Sequence, residues 1–120
     1  MKDYTRRAAA YIAGRLVSGS DSLSVYDHDA LKYFSFSGDI SPTNVSVYDY
    51  EMSSHISGSG SSGSYSLYHY GNNRHLTLEI SGSIFQGYDY DSGQHYVGTV
   101  SSNAISLYDY EHSKYFNYFI

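Results

Sequence analysis

From Leu23 onward, apolar residues alternate with polar ones in short runs separated by Gly-, Ser- and Asn-rich breaks. Leu23-Ser-Val, Val45-Ser-Val, Tyr65-Ser-Leu, Phe85-Gln-Gly and Ile105-Ser-Leu each lead into a Tyr-x-Tyr or Tyr-x-His step. The first Tyr of that step falls at 26, 48, 68, 88 and 108, so the spacing is 22, 20, 20 and 20. Strict alternation over about six residues is the pattern of a strand with one dry face and one wet face. Each Tyr-x-Tyr run is followed by a four-residue polar segment, such as Gly71-Asn-Asn-Arg74 or Asp91-Ser-Gly-Gln94, and then by a second alternating run. His75-Leu-Thr-Leu-Glu-Ile80 is the cleanest of these, and a further four residues such as Ser81-Gly-Ser-Ile84 lead to the next copy. The pattern predicts five β-hairpins of about 20 residues over 23–120, hence ten strands.

The register follows from matching parity. Placing His95 opposite Tyr90 sets Tyr96 against Asp89, Gly98 against Gly87 and Val100 against Phe85. Across the linking turn the same rule sets Ile80 against Phe85 and Leu78 against Gly87. A one-residue slip would turn the apolar set to the wrong face.

Before the strands, residues 3–17 predict a helix, with Asp3 as its cap, Ala8-Ala9-Ala10 favouring it and Ser18-Gly19 ending it. Tyr4, Ala8, Tyr11 or Ile12, and Leu16 make an apolar stripe, with Lys2, Arg6, Arg7 and Arg15 mostly off it. The helix is therefore expected to dock on the sheet.

A period near 20 also suits a β-solenoid with a helical cap, which has the same inward residues. The inward column Asp27, Asp49, His69, Asp89 and Asp109 favours the meander. Stacked carboxylates about 4.8 Å apart would repel by roughly 3.5 kcal/mol at an effective dielectric of 20, and equivalent positions two strands apart by about half that. The fold expected is mainly β: a single domain over 1–120, an up-and-down meander curled into a barrel or folded-over sheet, with one N-terminal helix packed on it. Gly58, Gly60, Gly87 and Gly98 on the apolar face are expected to allow tight curvature or close approach of the helix.

Composition changes this picture in one respect. There are 16 Tyr, 5 Phe and no Trp, and most of the Tyr fall on the outer face or beside the turns. Tyr48, Tyr68, Tyr88 and Tyr108 form an outer column, and Tyr50, Tyr70 and Tyr90 stand near the turns, where they are expected to pair with His55, His75 and His95. A surface of Tyr, Ser and His resembles an antibody paratope in its chemistry, with rigid amphipathic rings and adaptable hydrogen bonds. These ten residues are the candidate binding residues, for a second copy of the chain or for a protein or carbohydrate partner. The plainer role for the same rings is to stabilise paired strands.

Other chemistry is sparse. A net charge of −5, with 7 Lys+Arg, points away from nucleic acid. There is no cysteine, and the compartment expected from the lack of a signal-peptide pattern or membrane-length apolar run is the cytoplasm. Six-residue strands are too short for an outer-membrane barrel. The Asp column is expected to accept hydrogen bonds from turn amides, with His69 substituting for one Asp. His55, His75 and His95 lie too far apart in a meander to share an ion, and no cofactor or metal is expected. No nucleophile elbow or phosphate loop is present. The 20-residue aromatic hairpin period resembles that of choline-binding modules and of MORN-repeat hairpin arrays, without the Trp of the first or the regular Gly pattern of the second. The leading function is thus a non-enzymatic binding or self-assembly module. The alternatives are a small barrel that binds an apolar small molecule under the helix, and an enzyme of unrecognised type.

Overall fold

The computed structural model describes residues 1–120. One helix, α1 (Asp3–Ser18), precedes β1 (Ser24–Asp27), β2 (Lys32–Ile40), β3 (Asn44–Asp49), β4 (Ser54–Ser61) and β5 (Ser64–His69). β6 (Arg74–Ser81), β7 (Ile84–Asp89), β8 (Gln94–Ser101), β9 (Ala104–Asp109) and β10 (Lys114–Phe119) follow. Each strand pairs antiparallel with its neighbours in sequence, and β1 pairs with β10, so the ten-stranded meander closes into a barrel. Closure removes the exposed edges that an open sheet of this length would carry. The seam is short: Tyr26 faces Phe119 and Asp27 faces Tyr118, and His28 N–H donates to the Asn117 carbonyl at 3.1 Å.

Alternation sets what faces inward. In β3, β5, β7 and β9 the second, fourth and sixth residues are buried, giving for example Val45, Val47 and Asp49, or Ile105, Leu107 and Asp109. The register differs from the expected one by two residues within each hairpin. His95 faces Tyr88, Tyr96 faces Gly87 and Phe85 faces Gly98. The reason is local. Tyr90 is the first residue of a four-residue turn instead of the last residue of a strand, and Gly93, with φ +71, closes that turn by donating to the Asp89 carbonyl at 2.8 Å. Leu31, Ser53, Asn73 and Ser113 take the same left-handed position in the other turns, with φ between 50 and 57. A shift of two keeps parity, so the inward set is unchanged. Three of the four linking turns are two residues long, not four: Ser61 pairs with Ser64, Ser81 with Ile84 and Ser101 with Ala104, while Ile80 faces Phe85 as expected. Gly60, Gly87 and Gly98 on the inner face make room for the rings of Tyr65, Tyr96 and Phe85, and Gly58 for the backbone of the neighbouring strand. A Cβ on Gly98 would lie 2.3 Å from Phe85 Cζ and 2.4 Å from the Ser106 carbonyl oxygen.

The helix packs against the inner face and runs through the barrel. Every residue from Thr5 to Gly14 is buried. Its side chains reach strands all round the circumference: Tyr11 stacks on Phe36 at 4.5 Å, Tyr4 lies 5.1 Å from the His69 ring, and Gly14 lies against Ile105 and Ile120. Ala8-Ala9-Ala10, Ala13 and Gly14 keep the cylinder narrow enough to fit. Asp3 is the first helical residue and not the cap, and at the other end Gly19, with φ 73, donates to the Arg15 carbonyl at 2.9 Å. A stripe of apolar residues anticipates one docking face, but a threaded helix has none to spare. Arg6 and Arg7 are therefore buried, at 3% and 7% exposure, not turned to solvent. No helix is long and apolar enough to cross a membrane.

Candidate functional site

The end of the barrel carrying the four-residue turns holds two concentric rings of side chains. The inner ring is Asp27, Asp49, His69, Asp89 and Asp109, each the last residue of its strand and each buried. Every member accepts a hydrogen bond from the turn that follows. Asp27 Oδ1 takes the Asp29 and Ala30 amides, Asp49 Oδ1 those of Glu51 and Met52, and Asp89 and Asp109 those of Asp91 and Glu111. His69 Nδ1 accepts from Gly71 N–H at 3.0 Å, so it does the work of the Asp it replaces.

Buried carboxylates need compensating charge, and the helix supplies it. Arg6 donates to Asp109 Oδ2 at 3.0 Å, to the Tyr118 hydroxyl at 3.1 Å and to the Met1 carbonyl, and its guanidinium lies 3.5 Å over the Phe116 ring. Arg7 approaches Asp27 at 3.5 Å and lies 3.7 Å over Phe34. The Met1 ammonium sits among Asp89, Asp109 and Glu111. Burial would raise Asp109, but the hydrogen bond from His112 and the nearby ammonium hold it below the usual carboxylate range. Burial dominates at Asp49 and raises it, and the same desolvation pulls His69 down to about 4.

The outer ring is aromatic and contains all ten candidate binding residues. Tyr26, Tyr48, Tyr68, Tyr88 and Tyr108 are half-buried on the outer face, and each is flanked edge-on by two rings. One flanking ring comes from the first turn residue: His28, Tyr50, Tyr70, Tyr90 or Tyr110. The other comes from the partner strand: Tyr33, His55, His75, His95 or Tyr115. Centroids in these ten pairs are 4.7–5.0 Å apart, with the planes at 64–85°. The expected direct pairs, Tyr50 with His55, Tyr70 with His75 and Tyr90 with His95, give way to triads in which the first Tyr separates the other two. The two-residue change of register is the cause.

The triads bring Tyr48, Tyr50 and His55 together, then Tyr68, Tyr70 and His75, then Tyr88, Tyr90 and His95. They place Tyr108 with Tyr110 and Tyr115. Tyr26, His28, Tyr33, Tyr110 and Tyr115 complete the first and last triads; they lie outside the ten candidate residues, although each occupies an equivalent position in its hairpin. The His residues of different triads stand two strands apart, roughly 9.5 Å. Between two triads, Gln86, Gln94, His95 and Tyr110 line an outer depression of about 350 Å³.

The inner face, where an apolar small molecule would have to lie, is filled by α1. No family model, curated protein or solved structure significantly matches this chain.

Proposed function

We propose that the chain is a non-enzymatic binding or self-association module that works through its aromatic ring. The five hairpins, four with a Tyr-x-Tyr step and the first with Tyr26-Asp-His28, serve as copies of one unit, each presenting one triad. The observation that carries the reading is the division of labour inside a triad. The central Tyr is half-buried and packs the sheet, which accounts for its structural use. The turn Tyr residues 50, 70, 90 and 110 remain 51–57% exposed. Rings left that open add little to the core, yet they are rigid, amphipathic and evenly spaced around one rim. Such rings suit a partner surface of protein or carbohydrate, or a second copy of this chain.

The test replaces the turn rings and leaves the central ones. Each edge-on pair contributes about 0.5–1.5 kcal/mol, so two double variants, Y50S/Y70S and Y90S/Y110S, accompany the fourfold one and keep the fold. Sedimentation velocity over a wide concentration range reads self-association, and calorimetric titration with cellohexaose and maltoheptaose reads saccharide binding. The reading expects wild-type protein to associate or bind, with progressive loss in the variants at unchanged far-UV circular dichroism. Variants that associate and bind like the wild type would overturn it.

A further inference from the structure

We infer that the outer depression between the triads of Tyr88 and Tyr108 binds a neutral saccharide, one or two pyranose units in size. The inference rests on the binding reading of the aromatic ring and narrows it to one place and one ligand class. Gln86 of β7 and Val97 of β8 are direct cross-strand partners on the outer face, and both line the depression with Gln94, His95 and Tyr110. Tyr110 N–H donates to the His95 carbonyl at 3.3 Å, which ties the last turn to β8 and sets the Tyr110 ring, 51% exposed, beside the site.

The observation that singles out this place is a double departure from the hairpin pattern. The position of Gln86 holds Ser24, Ser46, Ser66 and Ser106 in the other hairpins, and that of Val97 holds Ser35, Ser57, Thr77 and Asn117. One hairpin alone exchanges a short hydroxyl for a long amide and a polar group for an apolar one, and the register puts the two changes side by side. The barrel needs neither, since four hairpins form the same strands without them. Gln86 is exposed and adds nothing to the core. Its Nε2 donates to Glu79 Oε2 at 3.1 Å, which holds the amide in place and leaves its oxygen and second N–H to a ligand.

The lining selects the ligand by its chemistry. None of the lining residues is Asp, Glu, Lys or Arg, so the site suits an uncharged molecule. Two side-chain amides offer donors and acceptors in pairs, which match adjacent sugar hydroxyls that each donate and accept. Val97 and the Tyr110 and His95 rings give the C–H face of the same sugar an apolar surface to lie on. The volume of about 350 Å³ is at the small end for small-molecule sites, which limits the occupant to one or two units.

The experiment is a nitrogen–proton and methyl NMR titration of the full chain with cellobiose and with maltose, and with adenosine as a planar uncharged comparison. At least one disaccharide should give saturable shifts at the Gln86 and Gln94 side-chain amides, the Val97 methyls and the Tyr110 ring. The Q86S/V97T variant carries residues that the other hairpins hold in the same strands, so it keeps the fold, checked by circular dichroism. It should bind about tenfold more weakly, the size of one lost hydrogen bond together with one lost apolar contact. Silence at Gln86 and Val97 with both disaccharides overturns the inference, as does a Q86S/V97T protein that binds like wild type, or adenosine binding there when the sugars do not. Self-association that Y50S/Y70S abolishes, with no sugar shift at Gln86 or Val97, overturns this inference alone and leaves the wider reading of the aromatic ring standing.

Discussion

His69 gives a pH dependence whose sign and size follow from its surroundings. Its Nδ1 accepts the Gly71 amide, so the neutral ring carries its proton on Nε2, which is buried without a partner. A second proton would have to enter at Nδ1, where the Gly71 N–H already points, and the resulting charge would be buried against the Tyr4 ring. The folded chain therefore holds this group at about 4 against an ordinary 6.5. The unfolded chain takes up the proton first, so stability is complete above about pH 6.5 and falls as pH drops toward 4. Below that it loses no more from this residue. A gap of about 2.5 units corresponds to about 3 kcal/mol. The perturbation is His69→Asn, which offers Oδ1 to the same amide and does not titrate. Urea unfolding at several values between pH 7 and pH 4 should show wild-type protein losing about 3 kcal/mol more than the variant over that range. The variant itself starts lower at pH 7, because a smaller side chain leaves space beside Tyr4. Parallel pH profiles for the two proteins would refute the account of a neutral, buried His69.

Three further substitutions probe the packing, the backbone and the buried charges. Gly98→Ala should destabilise by about 1–3 kcal/mol in urea unfolding, because its Cβ meets both the Phe85 ring and a backbone carbonyl. Gly82→Ala, where only the left-handed φ of +61 resists, should lose about 1 kcal/mol. Arg6→Met should cost about 3 kcal/mol by thermal or urea unfolding, since it leaves Asp109 short of one buried partner and the Tyr118 hydroxyl without its donor. His112 and the Met1 ammonium remain beside Asp109 and keep the loss from being larger.

The meander, the inward set and the turn-capping role of the Asp column were all legible in the sequence. Period-two alternation determines which residues face in, and a carboxylate placed two residues before a turn amide has an obvious partner. Two features were not legible. The turn position with positive φ is filled by Leu31, Ser53, Asn73, Gly93 and Ser113, which share no side-chain signal, so the strand ends were misplaced by one residue and the pairing by two. An apolar stripe on the helix implies one buried face. What marked it as threaded was the coincidence of small residues at 8–10, 13 and 14 with two arginines that match two inward carboxylates, Asp27 and Asp109. That match becomes visible only when the Asp column and the helix are considered as parts of one interior.

The outer aromatic ring is the centre of the functional account, and aromatic carbon–proton NMR tests it most directly. Spectra are recorded as wild-type protein is concentrated and as cellohexaose is added. The account predicts shifts or broadening at Tyr50, Tyr70, Tyr90 and Tyr110, with the inward rings of Tyr11, Tyr96 and Tyr118 unchanged. Turn rings that stay unchanged under both conditions, or changes confined to the inward rings, would contradict it.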